Sequence, residues 1–88
     1  MHFRTYSDEN PPERGTAKKI YNALKCCGFI VYDLHYNPNC WGRRSEDGWN
    51  TWACDVSSKI CAGEFWCGWN EGRAYLQSEH APFNVVWL

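Results

Sequence analysis

The sequence has no apolar run approaching the roughly 18 residues that a membrane-spanning helix needs. It has no surplus of either charge, with a formal net charge of −1 and a pI near 6.3. The first absence excludes a helical membrane protein. The second argues against direct nucleic-acid binding, which needs a basic surplus to displace counterions. With no run of carboxylates, the chain is not a polyanionic mimic of DNA either. Residues 1–8, Met-His-Phe-Arg-Thr-Tyr-Ser-Asp, contain no apolar h-region and are not read as a signal peptide, so a cytoplasmic location is expected. No Cys-x-x-Cys pair occurs, which removes the usual zinc knuckles. There is no Gly-rich phosphate cradle, no dinucleotide fingerprint and no Gly-x-Cys-x-Gly elbow. No internal repeat or low-complexity segment is present.

What the chain does have is aromatic residues. Six Trp occur in 88 residues, and the aromatic fraction is 17%. Five of the six fall in three short windows, Trp49–Cys54, Phe65–Trp69 and Phe83–Leu88. A Trp brings large apolar area and one N–H that needs a partner, so several together either build a core or present a binding face. The length allows one domain, residues 1–88, whose stability depends on large core side chains. Six Cys in a short chain would suggest three disulfides in a secreted protein. In the expected reducing location they are read mostly as free thiols.

Residues 1–7 alternate and suit a short edge strand. One amphipathic helix is expected over about residues 11–27, with Ala17, Ile20, Tyr21 and Leu24 on one stripe and Lys18, Lys19, Asn22 and Lys25 opposite. Asn10 with Glu13 has capping-box spacing and Thr16 is a second candidate cap, since Gly15 weakens an earlier start. Gly28 is the expected left-handed C-cap. A strand follows over Phe29–Tyr36, with Ile30, Tyr32, Leu34 and Tyr36 on one face and Phe29, Val31, Asp33 and His35 on the other. Residues 37–48 are a loop rich in turn formers.

Trp49–Val56 and Glu64–Asn70 form an expected hairpin around residues 57–63. Setting Val56 opposite Phe65 puts Cys54 opposite Cys67 and Trp52 opposite Trp69, all on the face that the helix covers. Trp49, Thr51, Asp55, Glu64 and Trp66 then take the other face. Asn70-Glu71-Gly72 marks a turn, Arg73–Gln77 a short strand, and Phe83–Leu88 a final strand led by Pro82. The sum is an α+β fold, one amphipathic helix packed on a four- to six-stranded antiparallel sheet as a two-layer sandwich. Its second face would expose Phe29, Val31, Trp49 and Trp66, more aromatic surface than a monomer usually leaves bare.

The candidate sites follow from these placements. Cys54, Cys61 and Cys67, with Cys40, His35 and His80, contain enough ligand types for zinc, but the bland reading of Cys54 and Cys67 as small core residues is preferred. Cys40 or Cys61 with His35 or His80 lacks any ordering element for nucleophilic catalysis, and Asp33 with His35 is a pairing that open sheet faces show routinely. No enzymatic activity, metal or cofactor is expected. The loop carries Trp41 beside Arg43 and Arg44, residue types that concentrate binding energy at interfaces. Trp41, Arg43, Arg44, Trp49 and Trp66 are therefore the candidate partner-binding residues.

In length, in a lone helix against a small antiparallel sheet, and in the closing strand Pro82-Phe83-Asn84-Val85-Val86-Trp87-Leu88 of the Pro-Phe-x-Val-x-x-Leu kind, the chain resembles the anti-CRISPR proteins, small inhibitors encoded by phages and mobile elements. The resemblance covers seven residues of motif and carries over no functional residue. It implies a stoichiometric inhibitor that occludes a surface of a bacterial defence complex, in the cytoplasm of the host cell. The alternative is a nucleotide- or small-ligand-sequestering module with an aromatic pocket. In that reading Arg43 or Arg44 meets phosphate, and a homodimer closes the aromatic face.

Overall fold

Gly15 and Gly28 bracket the helix. In the computed structural model, which describes residues 4–37, 50–78 and 85–88, α1 runs over Gly15–Cys26. Gly15 adopts φ +79 at its start and Gly28 φ +85 just beyond its end, a conformation that side chains with a Cβ resist. The start is later than the spacing of Asn10 and Glu13 suggests. Arg14 takes the N-cap position with no side-chain hydrogen bond, Thr16 lies inside the first turn, and Asn10 Nδ2 donates instead to Thr5 O at 3.1 Å. At the other end Gly28 N donates to Lys25 O at 3.0 Å and Phe29 N to Leu24 O at 3.0 Å, the two bonds of a Schellman motif. Phe29, the residue after the glycine, is thereby driven into the core.

Six strands make one antiparallel meander in the order β1-β2-β3-β4-β5-β6: β1 Thr5–Tyr6, β2 Ile30–Tyr36, β3 Trp52–Ser57, β4 Ala62–Asn70, β5 Arg73–Ser78 and β6 Val85–Trp87. The sheet is open, and α1 packs across β2, β4 and β5 on one face. Ala17, Ile20 and Leu24 enter a core with Phe29, Val31, Leu34, Trp52, Cys54, Val56, Cys67 and Leu76, while Tyr21, Phe65 and Trp69 pack on its margin. A single helix can seal this layer because the residues beneath it are large. Lys19 also sits 5.5 Å over the Trp69 ring, adding a cation–π contact at the rim. No helix among the described residues is long and apolar enough to cross a membrane.

Two registers depart from the alternation of the sequence. In β2, Val31 faces Val56 and Asp33 faces Asp55, so Tyr32 is an extra residue in a β-bulge. The bulge lets Val31 and Leu34, which strict alternation places on opposite faces, both point to the helix. Phe29 and Val31, expected outside, are 2% exposed. In the β3–β4 hairpin, Cys54 pairs with Phe65, Trp52 with Cys67 and Val56 with Gly63, two residues away from the expected register. Ser58 causes the shift. Its N–H donates to Cys61 O at 2.8 Å and its Oγ accepts from Ile60 N at 3.1 Å, closing the turn over residues 58–61. A slip of two preserves faces, so Trp52, Cys54 and Cys67 remain core residues although their partners change.

Asp8 ties the segment after β1 to the helix. It pairs with Lys25 at 3.0 Å and accepts from Tyr21 Oη at 3.0 Å. Burial alone would raise its carboxyl, but Lys25, Tyr21 and the Val31 amide outweigh burial and hold it below the usual carboxylate range.

The thiols divide by environment. Burial, reinforced by the neighbouring Cys54 sulfur, pushes the Cys67 thiol far above its ordinary value, whereas Cys26 and Cys27 are exposed at the helix end. Native protein treated with iodoacetamide is expected to be labelled at Cys26 and Cys27, and at Cys54 and Cys67 only after denaturation. Peptide mass mapping reads this directly. Early labelling of Cys67 would contradict the packing described.

Candidate interaction surface

The face of the sheet away from α1 is assembled by cross-strand pairing, which brings residues distant in sequence into rows. One row runs Thr5, His35, Ala53, Trp66, Gln77 and Val85 from β1 to β6. A second holds Asp33, Asp55 and Glu64 directly opposite one another on β2, β3 and β4. The β4–β6 end of the face carries Tyr75 and Trp87, paired across β5 and β6.

This last corner is closely packed. Tyr75 is fully buried, and its ring lies 5.5 Å from that of Trp87. Arg73 stacks on Trp87 with its guanidinium carbon 5.2 Å from the ring centre. The Tyr75 hydroxyl accepts from the Asn50 amide and donates to Asn50 Oδ1 at 3.0 Å. Asn50 adopts φ 55, a conformation that Asn tolerates better than most residues. Across from it, Asn37 N donates to Thr51 O at 2.8 Å and Asn37 Nδ2 to Asn50 O at 3.2 Å. Both flanks of segment 38–49 are thus fastened to the sheet. The candidate residues Trp41, Arg43, Arg44 and Trp49 belong to that segment and lie outside the described residues.

The opposite end of the face is open. Asp33, Asp55 and Glu64 border a shallow depression of about 250 Å³ that His35 and Ala53 also line. Asp33 Oδ1 and His35 Nδ1 are 2.9 Å apart, so the two share a face and pair as their spacing suggests. Ile30 and Tyr32 stay 48% and 55% exposed at the same end of β2. Trp66, the one candidate residue within the described set, is half-buried between Ala53 and Gln77. Among the described residues no group of three or more His, Cys, Asp or Glu side chains is arranged to hold a metal ion.

Like charges placed directly opposite on neighbouring strands repel. Asp55 sits between the other two carboxylates and bears most of that repulsion. Asp55→Asn is therefore expected to stabilise the fold by about 0.5 kcal/mol, raising the thermal midpoint by a few degrees at low salt and less at high salt. A midpoint that falls, or a gain indifferent to salt, would show that the row is held by something other than electrostatics.

Each of these carboxylates is recognisable alone as an outward polar residue. Their alignment depends on the register and the bulge, so it is invisible until the strands are paired. Comparison with protein-family models, curated proteins and solved structures finds no match to this chain.

Proposed function

We propose that this chain is a non-enzymatic binding protein that masks a protein partner, using the sheet face opposite α1 together with segment 38–49. The observation that carries this reading is the contrast within that face. Its β5–β6 corner is a packed platform to which Asn50 is fastened through the Tyr75 hydroxyl, while its β2–β4 end leaves Asp33, Asp55 and Glu64 beside exposed Ile30 and Tyr32. An acidic row flanked by apolar side chains favours a partner that offers basic and apolar groups. Trp41, Arg43, Arg44 and Trp49 would supply the anchors, since rigid rings and guanidinium forks lose little conformational freedom on binding.

The finer assignment is a phage-encoded inhibitor of a bacterial defence complex acting in the host cytoplasm. It rests on the resemblance in size, layout and closing strand to anti-CRISPR proteins. The sequestering alternative calls for a Trp-lined pocket. One cavity, of about 350 Å³ beside β1 and the helix start, is polar and lined by Arg4, Asn10, Glu13 and Arg14 among others.

Immobilised chain exposed to a bacterial lysate is expected to retain one protein saturably. Trp41→Ala and Arg43→Ala/Arg44→Ala should each abolish retention while leaving the thermal midpoint within about 2 °C of wild type, as surface changes do. Undiminished retention would remove these residues from the interface. Unfolding of both variants would make them structural and overturn the assignment.

A further inference from the structure

The core face of the β3–β4 hairpin gathers three sulfurs. Cys54 and Cys67 are buried among the residues that α1 covers, and Cys61 packs against the same cluster from the hairpin turn. All three carry free thiols. Trp52 stands opposite Cys67 and Cys54 opposite Phe65, so Cys54 and Cys67 are diagonal neighbours on one face. Strand twist brings one diagonal of such a quartet together and spreads the other. Cys54 and Cys67 occupy the near one, since Cys54 is close enough to act directly on the Cys67 thiol. The other described cysteines are badly placed for bridging. Cys61 closes the turn opposite Ser58, four residues from Cys54, or on the order of 13 Å along an extended strand. Cys26 and Cys27 adjoin in the chain, with Cα atoms about 3.8 Å apart, short of the span a disulfide prefers.

We infer that Cys54 and Cys67 form the one disulfide this hairpin can hold, and that it is made while the chain folds and not afterwards. Exchange begins with a mixed disulfide between one cysteine and a small-molecule disulfide, here oxidised glutathione. Cys54 is 3% and Cys67 0% exposed, so no such adduct fits beneath α1. Burial also keeps the Cys67 thiol protonated, and the thiolate is the attacking species. Both obstacles vanish before α1 docks. The Cys54 thiol then loses its proton to solvent, its thiolate attacks one sulfur of oxidised glutathione, and a glutathione thiolate leaves. The Cys67 thiolate attacks the Cys54 sulfur and expels the second glutathione. Two cysteine thiols are oxidised, one glutathione disulfide is reduced, and the two released thiolates recover the two protons. Packing of α1 seals whichever state has formed, so the core records the redox conditions under which the chain folded. The pair lies on the face covered by α1, away from the masking surface, and does not depend on it.

Full chain unfolded in urea with its thiols reduced, then diluted into a buffer of reduced and oxidised glutathione, is expected to refold lighter by two hydrogens. After acid quenching, peptide mass mapping should place the bond between Cys54 and Cys67 roughly tenfold or more above any other pairing. Native reduced protein held in the same buffer should acquire it roughly tenfold or more slowly than the refolding chain. The linked protein should melt at or above the midpoint of the reduced one, because the bond closes a loop of about a dozen residues in the unfolded chain. Cys67→Ala should abolish the link. Should that variant fail to fold, Cys26→Ser/Cys27→Ser/Cys61→Ser provides a second reading, in which the bond between Cys54 and Cys67 forms undiminished. No link on refolding, a bond to Cys61 or Cys40 in place of this pair, equal rates for native and refolding protein, or a linked form that melts below the reduced one would overturn the assignment.

Discussion

Leu24→Ala is expected to lower the stability of this domain by about 3 kcal/mol and its thermal midpoint by on the order of 15 °C. Leu24 is fully buried, and it joins the two layers at the point where the helix ends. Its side chain fills the core between α1 and the sheet. Its carbonyl accepts from Cys27 N at 3.2 Å and Phe29 N at 3.0 Å, so its position is coupled to the turn that delivers Phe29. Truncation leaves a cavity bordered by a helix that cannot move inward without disturbing that motif. A domain of 88 residues holds only about 5–15 kcal/mol in all, so the loss is a large share. Urea titration measures it. A loss below about 1 kcal/mol would mean that the helix is a loosely attached cover rather than half of the core.

Tyr75→Phe is expected to cost about 2 kcal/mol, and its effect is local as well as global. The ring is retained, so packing against Trp87 survives. What is lost is the hydroxyl that both accepts from Asn50 N and donates to Asn50 Oδ1. Asn50 then has no anchor from β5 and its φ of 55 is no longer held from that side. Hydrogen exchange at the Asn50 amide should accelerate by at least tenfold, equivalent to about 1.4 kcal/mol of lost protection, while amides in the centre of β3 slow or hasten only with global stability. Unchanged exchange at Asn50 would show that the base of segment 38–49 is fastened without Tyr75.

Both residues sit where local pattern and long-range pairing meet, and the two differ in how far the chain alone reveals them. Period-two alternation in Trp52–Val56 and Phe65–Trp69 places every side chain on its correct face, because face depends only on parity. The register depends on how the turn closes, and Ser58 is an unremarkable residue until its Oγ is seen to accept from Ile60 N. The helix stripe and the stop at Gly28 are legible because the physics is local: a 3.6-residue period and a positive φ. The bulge at Tyr32 is not, since Ile30-Val31-Tyr32 is an unbroken run of strand formers with no local mark of the extra residue. That one residue decides whether Phe29 and Val31 are surface or core. It also sets Asp33 level with Asp55, and hence creates the acidic row. The candidate surface is thus half legible: the outward parity of Trp66, Asp55 and Glu64 can be read from the chain, and their neighbours cannot.

Whether the partner meets the face opposite the helix is tested most directly by hydrogen-exchange footprinting of the chain bound to its captured partner. The expected result is slowed exchange in segment 38–49 and at the β2–β4 end of the sheet around Asp33, Asp55 and Glu64, with the exposed helix positions Lys18 and Asn22 unchanged. Protection confined to α1, with the sheet face exchanging as in the free protein, would contradict it.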